Sequence, residues 1–78
     1  MTVLDTLKDI IKDADATIDV SAVTAESRLI EDLNIDSLTV AMISVELEER
    51  YNIEIDVNQQ FVTVGDVCRY IEGKIASR

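Results

Sequence analysis

Three stretches of this chain carry aliphatic side chains at helical spacing, and it has no proline, only two glycines and one cysteine to interrupt or staple them. A period near 3.6 residues places positions i, i+3, i+4 and i+7 on one face of a helix. In the first stretch Val3, Leu7, Ile10, Ile11 and Ala14 share a face, while Asp5, Lys8, Asp9, Lys12 and Asp13 fall elsewhere. In the last, Val64, Val67, Cys68, Ile71 and Ile75 form the apolar stripe, and Asp66, Arg69, Glu72 and Lys74 lie outside it, behind an N-cap at Thr63. Such a chain buries itself by packing helix on helix. With 47% hydrophobic residues but only three aromatics, it predicts an all-α bundle filled by aliphatic side chains, in one domain over residues 1–78.

The middle stretch, from about Asp36 to Arg50, has two apolar faces. Val40, Ile43, Leu47 and Tyr51 form the expected core stripe, with Ser44 at its edge. Leu38, Ala41, Met42 and Val45 form a second stripe on another side, more apolar surface than so small a bundle can cover. This second stripe is expected to be a docking surface for partners, with Glu46, Glu48 and Glu49 adding charge at the helix's far end. Closure of part of it by the loops is the structural alternative.

About twenty residues, Asp15 to Ile35, connect the first and middle helices, too many for a tight turn. Leu29, Ile30, Leu33 and Ile35 are expected to pin this long first loop onto the bundle, with a short helical turn near Glu26 to Leu33. From Asn52 to Phe61, with Ile53, Ile55, Val57 and Phe61 as anchors, one further short helix is expected.

Charge and composition exclude several functions. A net charge of −9 disfavours nucleic acid, which is held largely by lysine and arginine on phosphates, and favours basic protein surfaces. The first residues lack the basic and apolar regions of a secretory signal, and no run approaches the roughly 20 apolar residues that span a bilayer, so a cytoplasmic protein without membrane attachment is expected. Cys68 has no partner for an internal disulfide and sits in an apolar stripe, where free cysteine packs as a small hydrophobe. Asp15, Thr17, Asp19, Ser21, Val23 and Glu26 match the ligand spacing of a calcium-binding loop, but its sixth position, normally glycine, is the β-branched Val20. No metal site is therefore expected.

The tripeptide Asp36-Ser37-Leu38 at the start of the middle helix points to attachment rather than catalysis. A nucleophilic serine needs a base, usually histidine, and the chain has none. A serine modified by another enzyme needs exposure and a place for the new charge, and the positive end of a helix dipole offers that place. Neither a catalytic residue nor an enzymatic activity is expected.

The run Leu29-Ile30-Glu31-Asp32-Leu33-Asn34-Ile35-Asp36-Ser37-Leu38, the later Glu46-Leu47-Glu48-Glu49 with Tyr51 and Glu54-Ile55, and Thr63-Val64-Gly65-Asp66-Val67 together resemble an acyl carrier protein. The resemblance implies an all-α four-helix bundle of three long helices and one short third helix with a long first loop, acting as a monomer. It also implies 4′-phosphopantetheine carried covalently on Ser37, transferred from coenzyme A by a magnesium-dependent phosphopantetheinyl transferase, with Asp36 capping the helix and supporting the magnesium ion during transfer. Acyltransferase- and ketosynthase-type biosynthetic enzymes would be the further partners, meeting Leu38, Ala41, Met42, Val45, Glu46 and Glu49. Carriers of bacterial fatty acid synthesis usually have acidic residues where this chain has Thr39 and Met42, so a polyketide, modified fatty acid or other dedicated pathway is expected. Ser44 either borders space for a sequestered acyl chain or is a tolerated boundary hydroxyl. A peptidyl or aminoacyl carrier, and a scaffold that only binds a partner, are the alternatives.

Overall fold

The helical periodicity becomes three helices, α1 (Val3–Ala14), α2 (Ser37–Tyr51) and α3 (Val64–Ala76), in a computed structural model that describes residues 2–56 and 59–77. Each begins at a side chain that satisfies an otherwise orphaned amide. Thr2 and Asp5 form a reciprocal capping box on α1, and Thr63 and Asp66 form another on α3. α2 starts at Asp36, whose Oδ1 accepts from the Thr39 amide at 2.8 Å. It stops at Asn52, which takes the left-handed conformation (φ 53°) that asparagine tolerates better than most residues.

The core gathers Leu7, Ile10 and Ile11 of α1, Ile43 and Leu47 of α2, and Val64, Val67, Cys68 and Ile71 of α3. α1 packs against both other helices. At the ends of the stripes Ala14 is exposed, and Val3, Val40, Tyr51 and Ile75 are only half-buried, because the end turns of each helix run past the core. Thr6, polar in pattern, is buried because its Oγ1 donates to the Thr2 carbonyl one turn back, at 3.2 Å.

The first connection is built from local side-chain bonds and then tied to α3. Asp15 and Asp19 each accept from the residue two further on, Thr17 and Ser21, and a single 3₁₀ turn follows at Val20–Ala22. Val23, Leu29 and Ile35 enter the core and Leu33 packs against it. Ile30, expected to pin the loop, is instead 57% exposed. The helical turn expected near Glu26–Leu33 is a single turn that does not continue into a helix, in which the amides of Asp32 and Leu33 both donate to the Arg28 carbonyl, at 3.0 Å each. Asn34, at φ 57°, reverses the chain before α2.

Three backbone bonds bring this connection to the segment that enters α3: Leu29 N–H to Val62 O (2.9 Å), Val64 N–H to Ser27 O (2.9 Å) and Gly65 N–H to Ala25 O (2.8 Å). Arg28 and Thr63 form an isolated antiparallel bridge between them. Gly65 is needed for that approach, since a Cβ there would lie 2.9 Å from the Ala25 carbonyl oxygen.

The second connection lies on the core through Ile53, Ile55 and Phe61, each half-buried. The Ile55 amide donates to Glu48 Oε2 at 2.8 Å and the Asp56 amide to the Tyr70 hydroxyl at 3.1 Å. Phe61 meets Tyr70 edge to face, with ring centres 5.4 Å apart. Among the described residues from 52 to 61 no helix forms, and the expected short third helix and the Val57 anchor involve residues 57 and 58, outside the described set. Among the described residues no helix is long and apolar enough to cross a membrane.

Candidate functional site

Ser37 is the first residue of α2 and is exposed. The residues around it explain why a hydroxyl is displayed there. Asn34 turns the chain outward, Ile35 anchors the approach in the core, and Asp36 then caps the helix, so that the next side chain emerges at the helix's positive end. The hydrogen bond from the Thr39 amide holds the Asp36 carboxyl below its usual pKa, so the cap stays charged further into acid than a free aspartate would.

Beside Ser37 lies an open groove of about 470 Å³. Ile30, Val40, Phe61 and Val62 give it apolar walls, while Arg28, Glu31, Gln59 and Gln60 give it polar ones. The walls come from three separated segments, brought together by the bonds that tie the first connection to Val62 and Val64. Arg28, Gln59, Gln60, Phe61 and Val62 were not among the residues singled out for the site. No local pattern marks them, because their proximity is a product of the loop pairing.

Along α2, the outward stripe is where the sequence places it. Leu38 is 70% exposed, Met42 56% and Val45 53%, and Ala41 is exposed as well. Met42 also borders an open depression of about 250 Å³ between α1 and α2, walled by Ile10, Asp13, Ala14, Ile43 and Glu46. The three glutamates at the far end separate into different roles. Glu49 is exposed, Glu46 pairs with Arg50 at 3.2 Å, and Glu48 is half-buried with its carboxylate committed to the Ile55 amide. Ser44 donates to the Val40 carbonyl at 3.0 Å, which satisfies its hydroxyl at the edge of the core.

Two other groups are accounted for by structure. Cys68 is buried and free, and burial raises its thiol pKa, which leaves little thiolate for reaction. Within the calcium-loop spacing, Asp15 and Asp19 bind their own loop's hydroxyls and amides, and Val20 opens a 3₁₀ turn with no positive φ. Among the described residues no set of three histidine, cysteine or acidic side chains is placed to share a metal ion.

The fold and site define a presenting scaffold: a helical protein that exposes one serine hydroxyl at a capped helix start, beside an apolar groove and a partly apolar helix face. A phosphopantetheine arm fits this position, because the hydroxyl is accessible, the helix end favours a phosphodiester's charge, and the groove gives the arm room. The family model of the phosphopantetheine attachment site matches residues 5–71. Curated acyl carrier proteins match along most of the chain: that of Wolinella succinogenes is 39% identical over 74 residues, covering 92% of this chain and 96% of that protein. The acyl carrier protein of Chlamydia caviae is 42% identical over 74 residues, covering 92% and 95%. That of Helicobacter hepaticus is 47% identical over 58 residues, covering 72% and 76%. The chain belongs to the acyl carrier proteins, phosphopantetheine-bearing carriers that are not themselves enzymes.

Proposed function

We propose that Ser37 bears the 4′-phosphopantetheine arm and that the chain, as one carrier domain over residues 1–78, presents acyl intermediates to enzymes of fatty acid, polyketide or related biosynthesis in the cytoplasm. The observation that carries this reading is the exposed Ser37 at the capped start of α2, opening on the groove. When bound, the arm supplies a terminal thiol that holds the acyl group as a thioester and raises its effective concentration at each partner's active site.

The chain's own residues position and recognise. Asp36 holds the helix start in place and is the residue we assign to magnesium support while a phosphopantetheinyl transferase acts on Ser37. Leu38, Ala41, Met42, Val45, Glu46 and Glu49 are the surface we assign to acyltransferase- and ketosynthase-type partners, and the exposure of all but the half-buried Glu46 on one side of α2 supports the assignment. The apolar Met42 favours partners with a matching apolar contact over those built for an ion pair there. The family's four-helix form, with a short third helix in the second connection, is part of this proposal and rests on membership of the family alone.

Ser37→Ala tests the attachment. The variant should fold as the parent does, since the lost hydroxyl is exposed, and it should gain no phosphopantetheine mass from transferase and coenzyme A. Modification of the alanine variant at any other residue overturns the assignment. Loading by an aminoacyl-activating enzyme in place of an acyltransferase would favour an aminoacyl carrier instead.

A further inference from the structure

Adding a phosphodiester at Ser37 places a new negative charge next to Asp36 and on the same groove as Glu31, in a chain whose net charge is already −9. The helix end offers partial positive charge, but a full cation in reach would do more. The basic side chains are mostly committed elsewhere. Arg50 reaches Glu46 and Asp13, Arg69 holds Asp66, Lys74 lies over the Tyr70 ring, and Lys8 and Lys12 belong to α1. Arg28 is the basic side chain on the walls of the groove onto which Ser37 opens.

We infer that Arg28 is the counter-ion of the phosphodiester formed at Ser37, exchanging Glu31 for it when the arm is attached and so directing the arm along the groove. This rests on the reading of Ser37 as the attachment residue. The root of Arg28 is fixed: its amide donates to Asp32 Oδ2 at 2.8 Å, its carbonyl accepts from Asp32 and Leu33, and it bridges Thr63. Its head is not. The guanidinium side chain is 51% exposed, and its partners Glu31 and Asp32 are 66% and 45% exposed. Exposed pairs of this kind are weak and easily exchanged. Guanidinium presents a planar fork that matches a phosphate's oxygens, and the competitor Glu31 lines the same groove. From that anchor the arm would run over Val40, Phe61 and Val62 rather than into solvent.

Nuclear magnetic resonance of the apo protein and of protein loaded by transferase and coenzyme A tests this, with mass spectrometry locating the arm. On loading, the Arg28 Nε–Hε signal should shift and exchange more slowly with water, while that of Arg69 stays. The phosphorus resonance of the loaded protein should move in Arg28→Gln and return part of the way in Arg28→Lys. Glu31→Gln should enlarge the Arg28 response, because it removes the competitor. An Arg28 signal unmoved on loading of the parent protein, or a phosphorus resonance identical in Arg28→Gln, overturns the inference and leaves the helix start as the sole support of the charge. An arm located on Ser37 with Arg28 unmoved refutes the counter-ion alone. An arm located on another residue overturns the attachment site as well.

Discussion

Alanine at the two glycines of α3 should change stability in opposite directions, although both lie in the same helix. At Gly65 the added Cβ would stand 2.9 Å from the Ala25 carbonyl oxygen and 3.4 Å from the Ala25 Cβ. The oxygen cannot simply retreat, because it accepts the Gly65 amide at 2.8 Å and its neighbours are tied through Ser27–Val64 and Leu29–Val62. Overpacking of this kind costs about 1–3 kcal/mol. The intrinsic preference of a helix for alanine over glycine offsets at most about 1 kcal/mol, and less in the first turn. Gly65→Ala should therefore destabilise by about 1–2 kcal/mol, lowering the melting temperature by about 4–16 °C for a chain of this size. At Gly73 a Cβ meets nothing within 4 Å and the position is exposed. There the preference acts alone, and Gly73→Ala should stabilise by about 0.5–1 kcal/mol, or about 2–8 °C. Thermal unfolding followed by circular dichroism gives both shifts, and amide exchange should show lost protection at Leu29 and Val64 in the Gly65 variant only. A neutral or stabilising Gly65→Ala would refute the tight approach of the first connection to α3, and with it the account of how the groove walls meet.

Met42→Glu should cost about 0.5 kcal/mol or less in folding, because the side chain is 56% exposed and the change adds only solvent-screened like charge, with Glu46 one turn on and Asp13 across the open depression. Steady-state assays should show weaker turnover with its own pathway enzymes and stronger turnover with a general fatty acid ketosynthase; unchanged kinetics with both would remove Met42 as a specificity residue. Stability should also fall in acid through the capping carboxylates. Asp66 sits below the usual value of 3.8 because the Thr63 and Val62 amides donate to it, so its contribution is present above the unfolded value and is lost as pH falls through the lower folded one. Melting temperatures of the parent protein and Asp66→Asn, taken from pH 6 to pH 2, should show a shallower acid limb in the variant; parallel limbs would contradict this.

The three helices and the N-caps at Asp36 and Thr63 could be read in the sequence because both signals are local. Thr63 and Asp66, three residues apart, announce the start of α3, and the spacing of Val64, Val67, Cys68 and Ile71 states which face turns inward. The exposed stripe of Leu38, Met42 and Val45 was legible for the same reason: a helix with two apolar faces can bury only one. Ile30 was misread because loops have no period from which direction can be inferred, and Glu48 because nothing near it in sequence shows that Ile55, seven residues on, would need its carboxylate.

By itself, then, the sequence determined the helix positions, their buried faces and the serine at the start of α2, each of which depends on residues within about two turns of one another. The groove beside that serine was decided only by the tertiary structure. Its walls are drawn from Arg28 to Glu31, from Val40, and from Gln59 to Val62. Those segments meet because backbone amides and carbonyls of the first connection found partners beside α3. Backbone groups are the same in every residue apart from proline, so such pairing leaves almost no trace in side-chain pattern; here its one sequence mark is Gly65, where a side chain would not fit.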